Sequence, residues 1–182
     1  PAVLLKEPPL KSVSSLVLAY GLEGLGYIVT GTFIVAIAER TPGFSIDPAI
    51  VWLVVGIGAV PSCIISSAVA DKWGYVKTLT FSMILQSLGI ALPIFWSNPW
   101  GFIISALLFG ATFMGIATLT TTFARHMDPS NGSRMIGRLT TAYSAGQLAG
   151  PAIAGWMMSY TQSFHAVLLG AAGVVFLGGM LL

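Results

Sequence analysis

Ser12–Ala38 reads SVSSLVLAYGLEGLGYIVTGTFIVAIA, an apolar run of membrane length with one acid, Glu23, near its middle. About 20 consecutive apolar residues cross a hydrocarbon core as a helix. A carboxylate at that depth costs roughly 2.5–3.5 kcal/mol on insertion scales. A side chain kept there at such a cost faces protein or water and marks a functional position. The rest of the chain has the same character. Of 182 residues, 55% are hydrophobic and only 8% are charged, whereas a soluble domain carries about 25% charged residues. Too little polar side chain is present to coat a water-facing globule. Inside a bilayer the backbone must satisfy its own hydrogen bonds, by helices or by a closed barrel. Barrel strands alternate polar and apolar residues; these runs do not.

Six spans are expected, over about 12–38, 48–70, 78–96, 99–123, 136–159 and 164–182, preceded by a linker over 1–11. Asp47-Pro48 and Asn98-Pro99 each place a capping side chain before a proline at the first helical position. Seven of the eight Lys and Arg residues fall on one side of the membrane: Lys6, Lys11, Lys72, Lys77, Arg125, Arg134 and Arg138; Arg40 lies on the other. The positive-inside rule then puts both ends of the segment in the cytoplasm. Trp73, Trp96 and Trp100 sit at span ends, where indole rings anchor to the interface. The basic residues lie in loops, so the net charge of +2 is read as topology and not as nucleic-acid binding. The opening PAVLLKEPPLKS has no signal-peptide pattern and no initiating Met, and is read as part of a longer protein.

Tyr20, Tyr27 and Thr30 share the helical face of Glu23 by their spacing of three, four and seven residues. Two roles fit that acid. It could bind a proton or cation facing a wet chamber, or it could be a neutral acid bonded to a neighbouring helix for structure. Tyr143 and Gln147 lie one turn apart near the middle of span five. Gln147 could touch a solute or bond across helices. Thr112 lies near the middle of span four, although threonines often bond their own helix. Polar side chains are expected to be confined to spans one, four and five. Asp71, Lys72, Gly74 and Lys77 form a short charged loop, and Asp71 could latch onto Arg125 or Arg138 on the same side. Gly146 and Gly150 allow close helix approach, and Pro151 removes an amide donor from span five. Cys63 is read as a small buried hydrophobe. His126 and His165 have no metal-ligand spacing, and no nucleophile–base set or phosphate loop with lysine appears. No metal, cofactor or enzymatic reaction is expected.

Asp71-Lys72-Trp73-Gly74 resembles the loop signature GxxxD(R/K)xG(R/K)(R/K) of the major facilitator superfamily, with Ser67 at the leading glycine and Tyr75-Val76 at the basic pair. Gly146-Gln-Leu-Ala-Gly150-Pro151-Ala-Ile-Ala-Gly155 is similar to that superfamily's antiporter element GxxxGPxxGG, with Ala154 at the first of the final glycines. Span one most resembles the start of the second half of YbfB/YjiJ-type transporters. The resemblance implies an all-α membrane protein. This segment would be the C-terminal six-helix half, made of two inverted three-helix repeats. The N-terminal half would be its partner, with the solute between the halves. It also implies secondary active transport of a small organic solute by alternating access, with proton-coupled efflux across a bacterial inner membrane. Glu23 would line the cavity, Asp71, Lys72 and Gly74 would control the inward and outward states, and Gly150-Pro151 would bend and pack their helix. A stand-alone bundle acting as a channel, a homodimeric carrier or a scaffold is the alternative.

Overall fold

A computed structural model describes residues 13–41, 44–127 and 129–182. Six helices account for nearly all of them: α1 Val13–Glu39, α2 Ala49–Trp73, α3 Tyr75–Phe95, α4 Pro99–Met127, α5 Gly132–Thr161 and α6 Phe164–Leu181. Five are long and apolar enough to cross a membrane; the exception is α5. Its stretch up to Gln147 carries Arg134, Arg138, Thr140, Thr141, Ser144 and Gln147, which lower its hydropathy. At 30 residues it is about 45 Å long, enough to cross beside its neighbours. The chain is an integral, multi-pass, all-α membrane protein. The expected linker at 1–11 lies outside the described residues.

The caps read from sequence are formed. The Asp47 carboxylate accepts from the Ala49 amide at 2.9 Å, and Asn98 Oδ1 accepts from the Gly101 amide at 2.9 Å. The charged loop between spans two and three is almost all helix: α2 continues through Trp73 and α3 begins at Tyr75. Only Gly74 interrupts them, with φ 90° and ψ 155°. That region is open essentially to glycine alone. Gly74→Ala should therefore destabilise the protein by about 1–3 kcal/mol, read as a lower thermal midpoint in detergent.

Inter-helix packing is two-fold. The most extensive interfaces are α2 with α4 and α1 with α5; next come α1 with α6 and α3 with α4, then α3 with α6. Exchanging α1, α2, α3 with α4, α5, α6 maps this set onto itself. Three crossings separate the matched helices, so they run antiparallel and the repeats are inverted. The same exchange relates the close contacts. Lipid tails are as apolar as leucine, so small residues and intimate packing hold membrane helices together. A methyl group at Gly150 would lie 2.7 Å from the Leu25 carbonyl oxygen, across the α1–α5 interface. One at Gly58 would lie 2.8 Å from the Leu107 carbonyl oxygen, across α2–α4. Gly146 and Gly110 press on the backbone of Gly21 and Val55 in the same two interfaces. Gly155 differs from the packing role expected of it: it is exposed, and a methyl group there would meet nothing within 4 Å.

α2 and α5 each bury one stripe. On α2 it runs Val51, Val55, Gly58, Ser62, Ser66, Ala70, and on α5 Met135, Leu139, Gly150, Ala154. Their other faces are open, with Val60 81% and Leu148 81% exposed.

Candidate functional site

The site is built where α1, α4 and α5 converge. Tyr20 and Tyr143 stack with ring centres 4.5 Å apart. Tyr27 stacks on Tyr143 at 5.7 Å, on Phe113 at 5.6 Å and on Phe109 at 5.8 Å. Phe109 and Phe113 stack on each other at 5.5 Å. These five rings join three helices into one aromatic column. Tyr20 and Phe109 are buried, and Tyr27, Phe113 and Tyr143 are only partly covered. Gly24 makes the column possible, because a methyl group there would lie 2.5 Å from the Tyr143 carbonyl oxygen. Aromatic faces placed in this way can stack a flat ring or hold an organic cation.

Glu23 sits at the middle of α1 and is 1% exposed. Its Oε1 accepts from Gln86 Nε2 of α3 at 3.3 Å, and Gln86 is 0% exposed. The wet chamber expected beside Glu23 is absent from its described surroundings. A groove of about 940 Å³ between α1 and α5 is lined by Leu18, Gly21, Leu25, Arg138, Ala142 and Gly146, among others, and does not reach the acid. The spacing argument put Glu23 on the face it shares with Tyr20 and Tyr27; the Gln86 side chain, reaching across from α3, helps to close that face.

Tyr20 and Thr30 are buried with Glu23 along α1, and Tyr27 is partly buried. Thr30 Oγ1 has no hydrogen-bond partner. Thr112 is buried and spends its hydroxyl on its own helix, bonding the Leu108 and Phe109 carbonyls at 2.8 and 3.1 Å, so it has little left to offer a solute. Gln147 is half-buried on the Tyr143 side of α5. Four residues on, Pro151 lacks the amide that would bond the Gln147 carbonyl. Asp71, Lys72, Lys77, Arg125 and Arg138 are exposed. No ion pair joins Asp71 to Arg125 or Arg138 in this conformation. Arg138 instead lines the α1–α5 groove and, with Arg134, a hollow of about 380 Å³ at the same end of the bundle.

Sequence reasoning missed Gln86. Polar side chains are not confined to spans one, four and five. Ser62 and Ser66 of α2 and Ser82, Gln86 and Ser87 of α3 are also buried. The signal was present: a carboxamide in the middle of an apolar span stands out for the same reason as Glu23.

With that geometry described, comparison with known proteins places the chain. A family model described as "Uncharacterised MFS-type transporter YbfB" matches residues 6–182. The chain belongs to this major facilitator family. An "Uncharacterized MFS-type transporter YceJ" of Bacillus subtilis (strain 168) is 32% identical over 133 residues, covering 71% of this chain and 33% of that protein. The matched stretch spans a third of the relative's length. The YbfB-type match agrees with the branch suggested by span one.

Proposed function

We infer that this chain is the C-terminal half of a secondary active transporter. With an N-terminal six-helix half, it moves a small organic solute across a bacterial inner membrane by alternating access. The open faces of α2 and α5 support a partner half, because each leaves large apolar side chains uncovered beside a helix that is packed on its other side. The observation that carries the solute reading is the aromatic column. It lies in the middle of the bundle, on α1, α4 and α5, and three of its five rings are partly open. Such a surface favours a solute with an aromatic ring or a delocalised cation over a sugar, whose hydroxyls need many more polar partners.

Glu23 is the coupling site in this reading. Its burial supports a proton as the exchanged ion: a neutral acid is tolerated in low dielectric, whereas a bound metal ion would need several oxygen ligands. The exposed charges Asp71, Lys72, Arg125 and Arg138 form the cytoplasmic latch in another state of the cycle, and proton-coupled efflux is the proposed direction.

The full-length protein tests this. A thermal-shift screen against aromatic, cationic and sugar metabolites should pick out aromatic or cationic compounds, since a ligand of the native state raises its apparent stability. Tyr143→Ala should weaken binding of such a hit by about tenfold or more, as stacking interactions are worth about 0.5–1.5 kcal/mol beyond buried area. A hit that binds equally well to Tyr143→Ala and Phe113→Ala would remove the column as the solute site.

A further inference from the structure

We propose that Gln86 of α3 is the positioning residue for the Glu23 proton. The carboxamide and the protonated carboxyl form a cyclic acid–amide pair that ties α1 to α3 when the proton is bound. The proposal deepens the reading of Glu23 as coupling site and rests on it for its consequence in transport.

The argument starts from donors and acceptors. Gln86 Nε2 donates to Glu23 Oε1 at 3.3 Å. Gln86 Oε1 is buried and receives nothing from any side chain or backbone group. A buried carbonyl oxygen left in that condition is unfavourable and calls for an explanation. An ionised carboxylate only accepts, so it cannot answer this oxygen. A protonated one carries an O–H donor. One proton on Glu23 therefore completes both halves of the pair, with N–H to acid oxygen and acid O–H to amide oxygen. Glu23 and Gln86 are both fully enclosed, near the middle of α1 and α3.

The surroundings offer no better donor. The titratable groups around this point are Tyr20 and Tyr27 of α1 and Tyr143 of α5, and none of their hydroxyls bonds the Gln86 Oε1 oxygen. The middle stretches of α3, α4 and α6 carry no titratable side chain, and the basic residues lie at helix ends. Among the described residues no cation is therefore at hand to stabilise a carboxylate in the sealed state. Loss of the proton would leave two acceptors facing each other and remove one of the two bonds. The side-chain link between α1, which carries two rings of the aromatic column, and α3, which has no extensive interface with α1, would then loosen. Proton binding would thus be felt by the helix that faces the solute.

Infrared difference spectroscopy on the full-length protein in lipid tests the pair without a substrate. Wild type at neutral pH should show a carboxylic-acid carbonyl band that Glu23→Gln removes. In Gln86→Leu the band should move to higher frequency, because the acid carbonyl loses its N–H donor. The exchanged double variant Glu23→Gln/Gln86→Glu rebuilds the pair with the acid on α3, and should return the band close to its wild-type position. It also keeps the test decisive if Gln86→Leu fails to fold. A wild-type spectrum without the band, a band unmoved by Gln86→Leu, or an exchanged variant showing only ionised carboxylate would each overturn the proposal. A failed coupling role is distinguishable: Glu23→Gln would then transport normally while the band behaved as described.

Discussion

Glu23→Gln should reduce proton-driven transport by the full-length protein to the level of empty vesicles, while solute exchange across the membrane and folding persist. The substitution keeps shape and hydrogen-bonding capacity, so the contact with Gln86 survives in altered form. It removes only the ability to take up and release a proton. The acid is already neutral when paired with Gln86, and a carboxamide offers both a donor and an acceptor, so thermal stability should stay close to that of the wild type. Exchange measured with labelled solute in proteoliposomes, with and without an imposed pH gradient, separates the two outcomes. Gradient-driven accumulation by the variant at the wild-type rate would remove Glu23 from the mechanism.

The second large effect is expected at Gly146. Gly146→Leu should prevent folding. Even a single carbon added there runs into the Gly21 carbonyl oxygen and lies 2.8 Å from the Leu25 amide nitrogen. Both are backbone atoms of α1 and cannot rotate away as a side-chain end can. Gly146→Ala poses the same question more finely. Alanine gains about 0.8–1.0 kcal/mol over glycine in helix propensity, and overpacking costs about 1–3 kcal/mol, so the steric term should win and the protein should lose stability. Gly155→Ala should show the opposite sign, since its methyl group meets nothing within 4 Å and only the propensity gain remains. Thermal midpoints of the two alanine variants in one detergent make the comparison. Equal shifts would mean that α1 and α5 do not approach as closely as described. Gly110→Ala, pressed against Val55 in the related α2–α4 interface, should behave like Gly146→Ala.

These contrasts show where sequence reasoning reached its limit. Gly146, Gly150 and Gly155 look alike along the chain, yet two pack against α1 and the third is open. Thr112 and Tyr143 both looked available to a solute. The threonine bonds its own helix, and the tyrosine stacks with residues more than a hundred positions away. Asp71–Lys77 looked like a loop because of its charge; it is helix interrupted at Gly74, because charged residues extend helix ends readily once they leave the hydrocarbon.

The chain's own pattern determined the membrane as solvent, the helical class, the gathering of its basic residues at alternate helix ends and the place of Glu23 in the middle of α1. These depend on hydropathy, length and period, which are local properties. Tertiary structure alone decided which helix each face meets. It set Gln86 against Glu23, gathered five rings from three helices into a column, and closed the acid away from open space. Periodicity tells which residues look the same way, whereas the identity of what they look at depends on how six cylinders with similar surfaces are arranged, and small residues far apart in the chain settle that by permitting or forbidding close approach.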